Sequence, residues 1–433
     1  MRNSPGRRVR RTALLAPCAA LLVVAGALPA GAGAAAAPGA AVSTPASVQA
    51  APEPIDPAAL QAAVAATAKK LMIPGAVVLV RTPQGTFRAV AGTSELDTST
   101  TPSTRDHFRI ASNTKTMTAA LINLLAQDGK LALGDPVSAY VTGVPNGEHI
   151  TLTELLKMRS GLYNYTDAPE LSAAMDADPA KAWTPRQMLD MAFRRPPNFA
   201  PGASYEYSNT NYALLGLVAE KAGGRPLAEQ FRDRLFTPLG LAATSLPGIH
   251  DTALPSPYAH GYMYGGTAYA LIDQPYPAGM QAAARSGRLR PVDYTHQNPS
   301  YAHAAGGAVS TADDLATWIR ALVTGKVLNP ASQRQWLDSL QDEDPAAPPG
   351  GQKYGYGISY QRFGPDAAMY YHGGELPGFN SFIGHDPKND VTLVVWANLT
   401  LTPDGRTTAN ALLPTVLNQI YGLSLPTAGG TSE

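Results

Sequence analysis

Three short groups of residues carry types that can do acyl-transfer chemistry. Ser112-Asn113-Thr114-Lys115 is the one Ser-x-x-Lys of the chain. Three residues apart on a helix, both side chains share a face. At a helix start the free backbone N–H groups favour developing negative charge, and a lysine of lowered proton affinity can take the serine proton. Alone, the same four residues read equally as an N-cap serine and a solvated lysine. Tyr207-Ser208-Asn209 is the one Tyr-x-Asn. On an extended segment it puts a phenol and an amide on the same side, the first able to relay protons and the second to hold a carbonyl. The ordinary reading is a loop aromatic beside a turn-forming Asn. His372-Gly373-Gly374 precedes an apolar run from Phe379. Two glycines allow a substrate backbone close to that edge, with His372 supplying polarity or charge. A Gly-rich turn with an incidental histidine is the plain alternative. The eight histidines include no His-x-x-x-His pair, and no Gly-x-Ser-x-Gly occurs. A zinc site and a strand-to-helix nucleophile elbow are therefore disfavoured, and no metal or cofactor is expected.

The elements that must hold these groups follow from periodicity and punctuation. Asp56-Pro57 opens a helix with a stripe through Leu60, Val64 and Leu71. Ala76–Val80 and Phe87–Val90 flank Thr82-Pro83-Gln84-Gly85 and read as a hairpin. The helix after Ser112 runs through Leu121, Leu124 and Leu125 and closes at Gly129. From Gly134 to about Ser300 the pattern is of short helices and long loops. Tyr262 to Asn298, rich in Gly, Tyr and Pro, has no clear period, and a loop that long in a compact domain is usually functional or mobile. Thr311 caps a helix through Leu315, Trp318, Ile319 and Leu322. Strand-like runs cover Tyr354–Tyr360, Phe379–Gly384 and Val391–Ala397, and a last helix covers about Asn410 to Ile420. Strands and helices at both ends of the chain thus bracket a helical insertion.

The order Ser112…Lys115, Tyr207…Asn209, His372…Gly374 resembles that of the penicillin-recognising serine hydrolases, related to class C β-lactamases. The likeness runs from about Ala58 to Gly422. It includes Asp128-Gly129-Lys130-Leu131, Arg159-Ser160-Gly161-Leu162, Phe236-Thr237-Pro238-Leu239-Gly240-Leu241 and Ala305-Gly306-Gly307. Through Ser160–Thr166 and Tyr205–Asn211 the chain is most similar to the actinomycete D-alanyl-D-alanine carboxypeptidases. The resemblance implies an α/β (α+β) fold of the β-lactamase/transpeptidase type: an antiparallel sheet flanked by helices, an all-helical lobe at about 134–300, and a cleft between them. It implies that Ser112 is acylated, Lys115 activates it, Tyr207 relays the proton, Asn209 binds the acyl side and His372 is the basic residue of the third motif. Backbone N–H groups of Ser112 and Glu375, the latter just after Gly373-Gly374, would form the oxyanion hole. Implied substrates are peptidoglycan stem peptides, β-lactams or esters. A monomer without nucleic-acid partners is expected.

Two departures bear on substrate choice. The related carboxypeptidase has threonine where this chain has Gly373, and an arginine where it has Ser359. Those two side chains hold the substrate's terminal carboxylate there. The nearest arginine here, Arg362, lies three residues on and belongs to the other strand face. Tyr301 stands where the relative has a tryptophan over the cleft. The reading is therefore a serine acyl hydrolase of the carboxypeptidase type. The alternatives are an esterase or D-aminopeptidase/amidase acting where no carboxylate is presented, or a slow penicillin-binding sensor. Should a free carboxylate be bound after all, Arg285, Arg288 and Arg290 are the candidates.

Of 433 residues, 45% are hydrophobic and 15% charged, the balance of a folded globular protein. Lys+Arg and Asp+Glu both number 33, so no basic excess suggests nucleic-acid binding. Five arginines and no acid fall within residues 1–36, ahead of an apolar run, Ala13 to Ala27, and small residues. That is the layout of an export signal. The run is broken by Pro17 and short of the ~20 residues a membrane helix needs. Arg10-Arg11 loosely matches a twin-arginine start. Cys18, the single cysteine, follows Pro17 and is a poor lipid-attachment site, so the mature chain is expected to lack thiols. Residues 37–54 read as an Ala/Pro linker, 55–424 as the hydrolase domain and 425–433 as a tail. Protein recovered from culture medium is expected to begin between about Gly33 and Pro38. N-terminal sequencing that finds Met1, or recovery from cytosol alone, would contradict export.

Overall fold

A computed structural model describes residues 54–272, 274–346 and 351–426. The proposed export signal and most of the linker and tail lie outside the described residues. An eight-stranded sheet forms the frame: β1 Gly75–Thr82, β2 Gly85–Gly92, β3 Gln341–Asp342, β4 Lys353–Tyr354, β5 Ser359–Arg362, β6 Ala368–Leu376, β7 Phe379–Asp386 and β8 Val391–Ala397, in the order β2-β1-β8-β7-β6-β5-β4-β3. Every neighbouring pair is antiparallel. The strands from the chain's end therefore insert beside β1, which makes the domain one unit closed by sequence-distant pairing.

Both faces of the sheet are covered, and the side chains of β1 and β8 show it. Ala76, Val78 and Val80 face one core with Leu393 and Val395, while Val77 and Leu79 face the other with Val394 and Trp396. Alternation across the strand thus gives a continuous apolar run instead of an amphipathic one. The first core is closed by α1, Pro57–Lys70, and a C-terminal helix, Thr408–Tyr421. Asp56 caps α1, its side chain accepting from the Ala58 amide at 2.8 Å, and Leu60, Val64 and Leu71 are buried as their spacing predicts. On the second face lie α2, Thr114–Gln127, α3, Asn209–Gly223, and α4, Ala312–Val323, the last capped by Thr311. The hairpin closes with Thr82 opposite Gly85.

Two expectations are corrected. Tyr354–Tyr360 is not one strand. Gly357, at φ +70°, turns the chain so that β4 and β5 pair with Tyr354 opposite Ser359. His372-Gly373-Gly374 is not a turn ahead of a strand but lies inside β6, with His372 opposite Ile383 and Gly374 opposite Ser381. Residues 262–298 form a small subdomain. Tyr262–Met263 pairs with Val292–Asp293, and Tyr262, Tyr264 and Tyr276 pack with Leu399 and Leu401. No helix among the described residues is long and apolar enough to cross a membrane.

Two imidazoles are buried within this frame. Burial lowers His372 to about 3 and His385 to about 4. The folded chain keeps both neutral at pH values where the unfolded chain, with ordinary imidazoles, takes up two protons. Their contribution to stability is complete above about pH 6.5 and is lost as the pH falls from there toward 4, at about 1.4 kcal/mol per pH unit for each. Glu343, lifted to about 7, takes up a proton on folding over the same range and offsets part of this loss, so the test is a difference: urea unfolding at pH 7 and pH 5 should show the midpoint of His385→Gln falling less, or rising more, than that of the wild type. Identical pH dependence of the two would contradict neutral burial of His385.

Candidate active site

Ser112 lies on a tight turn, Ala111–Asn113, that runs directly into α2. The turn begins with Ala111 at φ +50°, a left-handed conformation that an alanine adopts only under constraint. The constraints are visible. Asn113 Nδ2 donates to the Ile110 carbonyl at 3.0 Å and to Ser381 Oγ on β7 at 2.8 Å. Thr114 Oγ1 donates to the Ala111 carbonyl at 2.8 Å and accepts from the Ala308 amide at 3.1 Å. Just upstream, Phe108 stacks on Trp396 of β8, and Arg109 Nη2 donates to the carbonyls of Thr252 and Thr295. The nucleophile's turn is thereby tied to the sheet on one side and to lobe loops on the other.

Lys115 is wholly buried, and its Nζ donates to Ser112 Oγ at 2.9 Å, Asn209 Oδ1 at 2.7 Å and the Ala305 carbonyl at 2.7 Å. None of the three acceptors carries charge. Burial therefore holds the amine well below the usual lysine range. The Tyr207 ring lies 4.8 Å from Nζ, and its phenol is hydrogen-bonded to Ser112. Burial pushes that phenol above its ordinary range, so it stays protonated. Asn209 opens α3. Its Nδ2 donates to Thr166 Oγ1 at 3.1 Å and its amide to Asn164 Oδ1 at 2.9 Å.

From the sheet side, Gly374 makes the close approach of β6 to the nucleophile's turn. A methyl group there would collide with the Ile110 carbonyl and lie 2.6 Å from Ser381 Oγ and 2.8 Å from Asn113 Nδ2. Gly373 is different: its nearest neighbour would be 3.8 Å away, so a side chain fits. His372 is 4% exposed; its Nδ1 lies 2.7 Å from the Gly373 carbonyl and its Nε2 3.1 Å from the Tyr354 hydroxyl. A carbonyl only accepts, so Nδ1 carries the proton and Nε2 accepts from Tyr354. Of the polarity or charge expected of His372, it brings polarity: it is a neutral, hydrogen-bonded wall residue.

Two cavities meet at Ser112. The smaller, about 30 Å3, is bounded by Tyr165, Tyr301, Ala302, Ala305 and Gly306. Tyr301 is therefore a buried wall of this recess, its carbonyl accepting from the Tyr165 hydroxyl at 2.8 Å. The larger, about 430 Å3, is bounded by Tyr205, Tyr207, Glu343, Tyr354, Ser359, Tyr371, His372, Gly373 and Gly374, among others. Ser112, Thr166, Asn209, Leu271 and Glu375 belong to both. Among the described residues, no lysine or arginine lines the larger one. Arg362 donates to the Pro365 carbonyl at the surface, Arg285 to Gln281, Arg288 to Ser286 and Arg290 to Asp97. Sequence reasoning brought together Ser112, Lys115, Tyr207, Asn209, His372, Ser359 and Glu375, and missed Glu343, Thr166 and Leu271. Tyr205 and Tyr354 stood within noted segments without a role. Glu343 gave no signal, because it sits in an acidic, Pro-rich stretch that reads as solvated loop.

A buried amine bonded to a serine, surrounded only by neutral acceptors, is suited to removing that serine's proton, and this places the protein among the serine hydrolases. It belongs to the Beta-lactamase family, whose model matches residues 60–416. The chain is 25% identical over 317 residues to a putative penicillin-binding protein, PbpX, of Bacillus subtilis, covering 73% of this chain and 66% of that one. To Protein flp of Staphylococcus aureus it is 26% identical over 333 residues, covering 76% and 60%. It therefore spans less than two thirds of these relatives' length. Among solved structures, a D-stereospecific amidohydrolase from Streptomyces sp. superposes with TM-score 0.71 at 28% identity, covering 85% of this chain and 100% of that one. D-amino acid amidase from Ochrobactrum anthropi superposes with TM-score 0.70 at 27% identity, covering 84% and 98%.

The glycine geometry has a direct test. Gly374→Ala should lower the thermal midpoint and abolish labelling of Ser112 by a fluorophosphonate. Gly373→Ala should leave the midpoint within experimental error. Equal effects of the two substitutions would contradict the close approach of β6.

Proposed function

We propose that the protein is a serine amidase or esterase, acylated on Ser112, whose substrates present no free carboxylate beside the scissile bond. The observation that carries this reading is the wall of the larger cavity, which offers no lysine or arginine and only a neutral His372. A carboxylate entering there would lose its water and meet no charged or bidentate donor. The similarity to two structures named as amidohydrolase and amidase supports the same class.

In the proposed mechanism Lys115 enters as the neutral amine and takes the proton of Ser112 as Oγ attacks the carbonyl carbon. Backbone N–H groups of Ser112 and Glu375 receive the developing oxyanion. Tyr207, bonded to Ser112, gives its proton to the departing nitrogen or oxygen and regains one from the Lys115 ammonium, and the acyl-enzyme forms as that bond breaks. Water then attacks along the same path in reverse. Asn209 orients Lys115 through Oδ1 and offers Nδ2 toward the substrate. The chain is proposed to act outside the cytoplasm, on the strength of its first 36 residues.

A second reading, a D-alanyl-D-alanine carboxypeptidase, is favoured by the Ser160–Thr166 segment, since Asn164 and Thr166 line the larger cavity. A substrate panel separates the two. The expected result is turnover of neutral amides and esters comparable to or faster than that of D-Ala-D-Ala peptides. Ser112→Ala should abolish turnover, and Lys115→Ala and Tyr207→Phe should each slow it by about 10²–10⁴-fold. An acyl adduct found by mass spectrometry on another residue would refute the assignment, and a trapped adduct without turnover would favour a sensor. Gly373→Thr with Ser359→Arg, both on the cavity wall, should shift kcat/KM toward the free-carboxylate peptide by about 10–150-fold. Loss of all turnover when that peptide's carboxylate is amidated in the wild type would establish the second reading.

A further inference from the structure

We propose that the far wall of the larger cavity is a cation subsite, built by Glu343 and the rings around it, that receives a positively charged leaving group. The inference rests on the serine-hydrolase reading above. Direction comes from the proton path. Tyr207, the group bonded to Ser112, lines the larger cavity and not the smaller. A proton donor must stand beside the atom that departs, so the leaving group lies in the larger cavity.

The chemistry of that wall follows. The Glu343 carboxylate accepts from Gln352 Nε2 at 2.8 Å, and the Tyr205 phenol stands nearby. Neither group is charged, and Glu343 makes no ion pair among the described residues. Arg159 acts on Glu343 through space without pairing with it: its Nη2 donates to the Asp342 carbonyl at 2.7 Å, its guanidinium lies 5.9 Å from the Tyr205 ring, and it does not line the cavity. Tyr205, Tyr207, Tyr354 and Tyr371 line the same cavity as Glu343. The Tyr205 and Tyr354 rings are 5.9 Å apart and those of Tyr207 and Tyr354 6.3 Å apart, nearly perpendicular. Tilted aromatic rings beside a carboxylate suit an ammonium group, since the ring faces and the carboxylate both attract positive charge. Burial lifts Glu343 to about 7, outweighing the opposing pull of its polar neighbours and of Arg159. The same wall repels a substrate carboxylate, which joins leaving-group recognition to the absence of an arginine at Ser359.

The test uses two acetate esters of equal shape, acetylcholine and 3,3-dimethylbutyl acetate, which end in a trimethylammonium or a tert-butyl group. The wild-type full chain should favour the cationic ester in kcat/KM by about tenfold, and Glu343→Gln should bring the ratio close to one. In parallel, tetramethylammonium chloride should raise the thermal midpoint of the wild type above that in sodium chloride of equal concentration, and not that of Glu343→Gln. A wild-type ratio near one, an unchanged ratio in the variant, or equal midpoint shifts would overturn the subsite. If neither ester is hydrolysed and a neutral fluorophosphonate leaves Ser112 unlabelled, the hydrolase reading fails, and the midpoint comparison still decides whether the cation binds.

Discussion

An amine with three hydrogen-bond acceptors and no anion is the constraint around which this molecule is arranged. Lys115 Nζ reaches a serine, an asparagine and a backbone carbonyl, and desolvation favours its uncharged form. Were one acceptor a carboxylate, the lysine would be held protonated and could not take a proton from Ser112. The arrangement requires α2 to be buried nearly all round, α3 to start at Asn209 rather than a turn later, and Ala305, in the short helix His303–Gly306, to turn its carbonyl inward. Each of these is a tertiary condition met by a different part of the chain.

The sheet contributes by bringing β6 against the start of α2. Gly374 removes the only side chain that would hold the two apart, and Ser381 on β7 receives the Asn113 amide across the gap. Left-handed Ala111 is the local cost of that fit, and its neighbours' hydrogen bonds hold it there. His372, one pleat away, is locked in a single tautomer between its own strand and Tyr354, which makes it a rigid and uncharged part of the wall.

Much of this was legible in the sequence because local rules and tertiary structure agree there. Asp56-Pro57, Thr82–Gly85, Gly129 and Thr311 punctuate the chain where the structure does, and the spacing of Ser112 and Lys115 survives as a 2.9 Å contact. What escaped did so for physical reasons. Gly-Gly opposes strand propensity, so the strand character of β6 is set by pairing with β5 and β7 and is absent from residues 372–374 themselves. The Tyr354–Tyr360 run reads as one strand because a single glycine at positive φ folds it in two. Glu343 lies far in sequence from every motif, and pairing of β3 with β4 brings its segment to the cavity. Whether His372 brings polarity or charge is left open by its residue type, because burial decides it.

The bond between Asn113 and Ser381 also divides the machinery mechanically. Ser112 and Glu375 are fastened to the sheet through that bond and the Gly374 contact, whereas Tyr207, Asn209 and Thr166 ride on the helical lobe. Lys115 spans the seam, holding the lobe through Asn209 Oδ1 and the nucleophile through Ser112 Oγ. In the proposed mechanism a small sliding of lobe against sheet would leave the carbonyl-binding half intact and uncouple the proton-transferring half, so turnover depends on the two staying in register to within one lysine's reach.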